Sequence, residues 1–184
     1  MKKVELDLIT KVRFLSKLEG TSSGLLFLET VADMENNDYR QKLHLLSADG
    51  SSDRTVLDYR KRISIDVLKD VVFLKESEAD GLKTKVSVLG TDGSVTEKGI
   101  LPLSLGRISD FNDRYYVAEA TINMQCPDYF SLSEEKRDAY AQSLRDNEDY
   151  IVLDEYPFFY NGAGFINGNR NNLFLLDKET LEPR

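Results

Sequence analysis

A repeat of about 45 residues runs through most of this 184-residue chain. Three segments with an apolar core and a polar tail begin 46 and 44 residues apart. They are GLLFLETVAD from residue 24, DVVFLKESEAD from residue 70 and RYYVAEATINM from residue 114. A regular period of roughly 20 to 50 residues is typical of arrays in which each repeat is one supersecondary unit. The period therefore restricts the chain to folds made of serial units of one kind.

Each unit contains further strand-like segments around this core. A second apolar strand follows it, beginning at Lys42, Lys85 and Asn172, and another precedes it, with Arg62 and Arg107 45 residues apart. A final strand closes the first two units, RTVLDYR in one and EKGILPLS in the other. Four short strands in each unit are what a blade of a β-propeller requires.

We therefore predict an all-β chain of about three four-stranded antiparallel propeller blades, with approximate boundaries 10–60, 61–105 and 106–184. Blades stack face to face, so their inner strands should be apolar on both sides, as the runs LLFL, VVFL and YYVA are. A β-sandwich of consecutive hairpins gives similar strand spacing and is the alternative. The recurrence of the segments in a constant order favours the propeller.

Turn residues separate the strands. Asp49-Gly50 and Asp92-Gly93 indicate hairpins with type I′ turns, which need positive φ at both central residues. The third unit has a longer turn without glycine at 177–180.

One helix is predicted, in an insertion at residues 131–149 that lengthens the third unit. Ser131 or Ser133 can cap it, and two glutamates follow in the first turn, where the helix dipole favours anions. Asn147 and Asp149 end it. Ala139, Tyr140, Leu144 and Leu132 form its expected apolar stripe. A lid over a blade edge is the expected role, and binding of a partner is the alternative.

Composition excludes several functions. The formal net charge of −8 argues against nucleic acid as a partner, because phosphate contacts need clustered Lys and Arg. The one notable basic run, Arg60-Lys61-Arg62, is interpreted as a solvated turn. The single cysteine, Cys126, cannot form an internal disulfide and fits a reducing compartment. It stands beside Pro127 with no histidine nearby, and we expect an inert thiol.

No membrane association is expected. Charged residues interrupt the first 15 residues, MKKVELDLITKVRFL, so they do not resemble a secretion signal. No stretch approaches the roughly 18 to 20 apolar residues that span a bilayer. A cytoplasmic location is therefore predicted.

The chain resembles a known family in two segments. Residues 27–56, FLETVADMENNDYRQKLHLLSADGSSDRTV, are similar to the first propeller blade of the prolyl oligopeptidase family of serine peptidases, in its acylaminoacyl-peptidase and dipeptidyl-aminopeptidase-like branch. Residues 154–184, DEYPFFYNGAGFINGNRNNLFLLDKETLEPR, resemble the family more specifically, with paired aromatics, a glycine turn and a strand ending in Asp. The resemblance implies a propeller of seven or eight blades ahead of an α/β-hydrolase domain, and this chain looks like its opening three.

The chain departs from the family pattern. Its blades lack the family's usual Ser-Pro-Asp-Gly turn and tryptophan, and it has no Gly-x-Ser-x-Gly nucleophile elbow. Its only histidine, His44, alternates with Leu43 and Leu45 in a predicted strand and is interpreted as structural. A serine triad needs a base beside the nucleophile and an acid that orients the base. We therefore predict no catalytic, cofactor-binding or metal-binding residue in this chain.

Other polar groupings are better explained as structure. Adjacent strand residues such as Asp154 and Glu155 face opposite sides and do not converge as a glycosidase pair. The spacing of Asp49, Asp53 and Asp58 is not that of an EF-hand, and turn chemistry explains them.

A Gly-rich and Asn-rich stretch, 161–164 and 167–169, is not followed by a helix. Phosphate-binding loops normally open a helix, so a turn or bulge pair is predicted instead.

These inferences lead to one functional expectation and its rivals. We expect a fragment of a longer cytoplasmic serine peptidase, whose propeller covers its own α/β-hydrolase domain and limits access to short peptides. The alternatives are a stand-alone protein-interaction module and, disfavoured by the missing secretion signal, an extracytoplasmic binding protein. Three blades cannot close a ring, so self-association through exposed blade faces is also expected.

Overall fold

The structure is a computed structural model that describes residues 10–59, 62–69, 71–90, 93–150, 159–160, 164–165 and 168–184, with backbone alone at 159–160 and 164–165. Within these ranges the chain is mostly β, with one α-helix. It forms three antiparallel sheets of three or four strands and a further strand pair. The prediction of a mostly β chain is confirmed.

Thirteen strands are defined in the described part of the chain. In order they are β1 (Phe14–Thr21), β2 (Gly24–Asp33), β3 (Asp38–Ser47), β4 (Asp53–Tyr59), β5 (Ile63–Leu68), β6 (Val71–Ser77), β7 (Thr84–Leu89), β8 (Val95–Leu101), β9 (Ser104–Asp110), β10 (Tyr115–Asn123), β11 (Phe159–Tyr160), β12 (Gly164–Phe165) and β13 (Asn169–Asp177). A 3₁₀ turn, Tyr129–Ser131, precedes the helix α1, Glu134–Asp146.

The three larger sheets follow one another along the chain and are not interwoven. The first has the order β1-β2-β3-β4, the second β5-β6-β7-β8 and the third β9-β10-β13. Every strand in the first two sheets is bonded to its sequence neighbour. In the third, the insertion that contains α1 and the β11–β12 pair separates β10 from β13.

The third sheet also gains a short segment on the outer side of β13. The chain turns after Asp177, passes Leu181 with a φ of 60° and runs back alongside β13. The backbone groups of Leu175 and Arg184 exchange two hydrogen bonds of 3.1 and 2.8 Å, and Leu176 and Pro183 form an antiparallel bridge. Residues 182–184 therefore take the position of a fourth strand.

The chain divides into two compact units, Met1–Glu76 with Val86–Gly99, and Ser77–Lys85 with Ile100–Arg184. The core of the first unit lies between the first two sheets. It contains buried aliphatic side chains from both, which are Leu26, Leu28, Leu43, Ile63, Ile65, Val72, Leu74 and Leu89. Apolar faces of successive sheets thus pack against each other in this unit. The second unit buries Leu103, Ile108, Ala118, Phe174 and Leu176, among others.

Gln41 links the first sheet to the second within the first unit. Its Oε1 accepts a hydrogen bond from the backbone N–H of Ile63, over 2.7 Å, and its Nε2 donates to Thr30 Oγ1 over 3.1 Å. Only 6% of Gln41 is exposed. A buried amide that bonds a neighbouring backbone in this way satisfies a donor that would otherwise lose its water.

Thr84 makes a corresponding link in the second unit. Its Oγ1 donates to the carbonyl oxygen of Leu103 over 2.8 Å and accepts from the N–H of Leu105, in β9, over 2.9 Å. Gln41 and Thr84 are the residues directly before Lys42 and Lys85, where the repeated strand begins. One position of the repeat therefore bonds the backbone of a following segment in both units.

The turn between β3 and β4 differs from its prediction. Type I′ geometry needs a positive φ at both central residues. Here Gly50 has a positive φ of 71°, but Asp49 does not. The Asp49 carboxylate instead accepts the Ser51 N–H and the Ser47 hydroxyl, which stabilises a five-residue loop. The expected two-residue turn is wrong here because the Asp side chain organises a longer one. Asp92 lies outside the described residues.

Helix α1 lies inside the predicted insertion, residues 131–149. Ser133 is its N-cap, although its side chain makes no capping hydrogen bond, and Asn147 is its C-cap, as predicted. The predicted apolar stripe was partly wrong, because Ala139 is exposed. The buried alanine is Ala141, which is 4% exposed. Two residues on a helix shift the facing direction by more than half a turn, so the stripe is centred on Tyr140, Ala141 and Leu144.

Candidate functional site

The connection between β10 and α1 forms the wall of a cavity in the second unit. After β10 ends, the Asn123 side chain accepts the Gln125 N–H, and the Cys126 N–H bonds the Asn123 carbonyl. The Tyr129 N–H then bonds the Cys126 carbonyl, which opens the 3₁₀ turn. These successive turns place the Tyr129 ring beside the first turns of α1.

The cavity measures about 710 Å³. We call it the tyrosine pocket and define it by Leu103, Cys126, Tyr129, Phe130, Tyr140 and Leu144. This volume lies within the range of small-molecule sites, roughly 300 to 1,000 Å³. Its wall combines apolar side chains with about as many polar ones, among them Asp80, Asn123, Asn147 and Glu148, so it is more polar than most such sites.

Two tyrosines are the unusual feature of this pocket. The ring centroids of Tyr129 and Tyr140 lie 5.7 Å apart at an angle of 52°. Tyr129 is 7% exposed, and neither hydroxyl finds a hydrogen-bond partner within the described part of the chain. Buried polar atoms in folded proteins nearly always have a partner, so two orphan hydroxyls on neighbouring rings are unusual.

Burial keeps both phenols in the neutral form. It raises the pKa of Tyr129 to about 12, with a smaller contribution from the negative charge of Asp80. Burial also raises the pKa of Tyr140. Below pH 10 both hydroxyls therefore keep their protons and can donate hydrogen bonds.

Packing and an ion pair hold the walls of the pocket. Phe130 packs edge-on against Phe174 of β13, with 5.1 Å between ring centroids. Lys83 Nζ lies 3.2 Å from Asp138 Oδ1 of α1, and the Asp80 carboxylate accepts the backbone N–H groups of Leu82 and Lys83. These contacts join the 80–83 loop to the helix.

Cys126 lines the same pocket and is half-buried. Desolvation, followed by the negative charge of Asp128, raises the pKa of its thiol. Because the thiolate is the reactive form, the environment disfavours nucleophilic chemistry at this residue.

His44 lies in the first unit, on β3, and stacks on Phe27 with 5.0 Å between ring centroids. Its Nδ1 is 3.0 Å from Asp53 Oδ1. Its Nε2 is 3.4 Å from Glu29 Oε2 but outside hydrogen-bond geometry, and Glu29 also pairs with Arg13 at 2.9 Å. In the described part of the chain, its polar neighbours are carboxylates, so the arrangement orients an imidazole without offering it a nucleophile to activate.

The three aspartates considered for calcium have separate partners. Asp49 bonds the loop serines, Asp53 bonds His44 and Asp58 pairs with Arg40. Hydrogen bonds from the loop lower the pKa of Asp49 to about 2. Among the residues that the structure describes, no group of three or more His, Cys, Asp or Glu side chains could hold a metal ion.

Several sequence candidates fall outside the described residues. These are Asp154, Glu155, Asn161–Ala163 and Asn167, as well as Arg60 and Lys61 of the basic run. Arg62 of that run is exposed, and Gly168 has a φ of 72°, which fits a turn before β13.

Sequence reasoning missed the tyrosine pocket. It placed Tyr140 on the apolar stripe of α1 but assigned no role to Tyr129. The Tyr129-Phe130 pair ahead of the helix was the available signal, and such a pair equally predicts simple core packing.

The fold is similar to that of solved acylaminoacyl peptidases. One, in complex with Z-Gly-Gly-Phe-chloromethyl ketone, matches over 96% of this chain with a TM-score of 0.65 and 16% identity. An orthorhombic crystal form of the Pyrococcus horikoshii acylaminoacyl peptidase matches over 95%, with a TM-score of 0.65 and 17% identity. The chain spans 25% of the length of each of these two peptidases, and it matches their N-terminal region. No family model and no curated protein matches the sequence.

Helices long and apolar enough to cross a membrane are absent from the ranges that the structure describes.

Proposed function

We propose that this chain is a non-catalytic N-terminal segment of a prolyl-oligopeptidase-like serine peptidase, made of three propeller blades at 10–60, 61–105 and 106–184. The observation that carries the proposal is the structural match, which includes 96% of this chain but 25% of an acylaminoacyl peptidase. A segment of a larger protein is expected to match that protein over nearly all of its own length and over only part of the larger chain.

The repeated backbone link supports a serial array. Gln41 and Thr84 occupy one position of the repeat and bond a following segment. Asn171 holds the same position before Asn172, and its Oδ1 accepts from Thr121 Oγ1 across the strand pair, as the Gln41 amide bonds Thr30. Asn171 is exposed, which suits a residue that bonds a further blade.

In this proposal the chain performs no chemical step. The bond-breaking groups belong to the protein's own α/β-hydrolase domain, where a serine elbow and its triad partners would lie. The ring of blades covers that domain in the cytoplasmic enzyme and admits short peptides through its channel. The segment thus limits the size of the peptides that reach the hydrolase domain. A more rigid ring of blades would exclude long peptides more completely.

Self-association of the isolated chain belongs to the same proposal. Leu173, on β13, is 71% exposed and lies two residues from Asn171, so both side chains project from one face of the third sheet. An exposed apolar face is a site of contact with another protein surface. The next blade would cover it in a longer protein, and a second copy would cover it in the isolated chain.

The test begins with the coding sequence beyond Arg184 and continues with the full-length enzyme. We expect further blades followed by Gly-x-Ser-x-Gly, and hydrolysis of blocked tripeptides but not of blocked 15-residue peptides. Gln41→Leu, which removes the link to Ile63, should raise the relative rate on the long peptide. Met34→Lys, on an exposed loop, is the matched control and should leave the ratio unchanged.

The purified 184-residue chain should hydrolyse neither peptide, and a serine-directed inhibitor identifies contaminating activity. A coding sequence that stops after Arg184 would contradict the proposal and favour the stand-alone interaction module. Turnover by the purified chain that survives the inhibitor would also contradict it.

A further inference from the structure

We propose that two copies of this chain pair through the free edge of β13, across a two-fold axis at Asn171, to form one continuous antiparallel sheet. The inference rests on the proposed self-association of the isolated chain and gives it a defined contact. This contact lies at the edge of the third sheet and is distinct from the exposed face of that sheet.

The backbone groups of β13 alternate between its two sides. Just after the strand, the Lys178 N–H donates to the carbonyl of Arg114, on the side of β10. The Leu175 N–H points the opposite way and donates to the carbonyl of Arg184 over 3.1 Å. This alternation continues along a regular antiparallel strand. Even-numbered residues of β13 therefore bond β10, and odd-numbered residues face the outer edge.

The outer edge is free along the first half of β13. Segment 182–184 bonds this edge, but it reaches only as far as Leu175. In the described part of the chain, β10 is the only strand paired with residues 169–173, and all five of these residues are exposed. The outward N–H and C=O groups of Asn171 and Leu173 are thus open to a further strand.

This stretch carries little of what normally keeps an edge strand from pairing. Such strands are blunted by proline, lysine or a β-bulge. Residues 169–173, NRNNL, contain neither proline nor lysine, and β13 pairs with β10 over nine consecutive residue pairs without a bulge. Arg170 is the one charged residue of the stretch. Its guanidinium bonds the Asn169 carbonyl over 2.8 Å, so that carbonyl would change partner when a second strand is added.

The bounds of the free stretch select one register. A second β13 placed antiparallel cannot extend beyond Leu173, because Arg184 already bonds the next outward-facing residue. Its own first residue, Asn169, follows Gly168, whose φ of 72° turns the chain. Asn169 of the second copy therefore lies opposite Leu173, which places Asn171 opposite Asn171 of the second copy. Such a contact is self-complementary and closes at two copies, which identifies the occupant as a second copy of this chain.

The test places charges on the two-fold axis of the full 184-residue chain. Asn171→Asp and Asn171→Lys each put like charges opposite each other, and each should weaken dimerisation by about fivefold or more in sedimentation equilibrium at low salt. An equal mixture of the two variants should form a heterodimer at least as tight as the parent homodimer. Thr121→Val is the control, because it removes the hydrogen bond from Thr121 to the Asn171 side chain without charging the edge. It should dimerise like the parent.

Amide hydrogen exchange distinguishes this contact from association through the face of the third sheet. In concentrated protein, the outward N–H groups of Asn171 and Leu173 should exchange at least severalfold more slowly than in dilute protein. The N–H of Asn172 faces β10 and should exchange at the same rate in both. This readout uses the parent chain and does not depend on the folding of any variant.

Two results would overturn the edge contact alone. One is association that leaves the amides of Asn171 and Leu173 unprotected, which would favour the face instead. The other is a mixture of Asn171→Asp and Asn171→Lys that associates no better than either variant. A parent chain that stays monomeric at every concentration would overturn the edge contact together with the proposed self-association.

Discussion

Lys75 Nζ lies 2.5 Å from Asp66 Oδ2, and the two side chains are 3% and 9% exposed. They lie on the adjacent strands β6 and β5 as diagonal neighbours, because Lys75 is paired with Ser64 and Asp66 with Phe73. A charge buried this deeply is tolerated when its counter-charge is present, because each ion loses most of its hydration. The pair therefore constrains how the second sheet is packed.

Removing one member of this pair should be severely destabilising. Lys75→Met leaves the Asp66 carboxylate buried without its partner, and we expect the free energy of unfolding to fall by about 3 to 5 kcal/mol. The double variant Lys75→Met with Asp66→Leu should recover most of the loss. Urea unfolding at pH 7 measures both. A single variant as stable as the parent would show that water reaches the pair.

The Gln41 link predicts a local effect as well as a global one. Gln41→Leu leaves the buried Ile63 N–H unpaired and should cost about 1 to 3 kcal/mol. Amide hydrogen exchange at Ile63 should also accelerate. Thr30→Val removes the other bond of Gln41 and is the control, since it should leave Ile63 exchange nearly unchanged. Equal exchange at Ile63 in Gln41→Leu and the parent would mean that the link has no protective role.

Thr84 provides a parallel test in the other unit. Thr84→Val keeps the shape but removes the group that bonds Leu103 and Leu105, and it should cost about 1 to 3 kcal/mol. Thr84→Ser retains the hydroxyl and should lose clearly less. Chemical denaturation of the three proteins makes the comparison. The link would be unimportant if the valine variant were the more stable one.

Alkaline pH should destabilise the protein through Tyr129. Its pKa is about 12 in the folded chain against 10.0 for a free phenol, so the unfolded state releases the proton first. Its contribution is complete below pH 10 and is lost as the pH rises from 10 to 12. Tyr129→Phe should therefore lose less stability than the parent between pH 9 and pH 11 in urea unfolding. An identical pH dependence would contradict the raised pKa.

The exposed face of the third sheet predicts concentration-dependent association. Leu173→Lys places a charge on that face and should weaken self-association by roughly tenfold or more. Met34→Lys makes the same change at a residue of nearly equal exposure, 69% against 71%, and should have no effect. Sedimentation equilibrium over a wide concentration range measures this. A parent chain that remains monomeric throughout would contradict the prediction.

The sequence was informative where structure depends on near neighbours. Alternating and continuous apolar runs predicted the strands, and the capping residues predicted the helix that the structure bounds at Glu134–Asp146. Local rules failed where a side chain competed with the backbone. At Asp49 the carboxylate bonded the loop and replaced the expected two-residue turn, and on α1 the buried alanine proved to be Ala141 instead of Ala139.

Periodicity and turn chemistry along the chain were enough to predict the mostly β composition, the serial order of the sheets and the position of the helix. Which distant side chains meet depends instead on how the strands and the helix pack in the folded chain. Lys75 with Asp66, Gln41 with Ile63 and Tyr129 with Tyr140 are each brought together by the register of strands or the docking of a helix. A periodic pattern states which face a residue occupies, but it does not state which residue lies opposite.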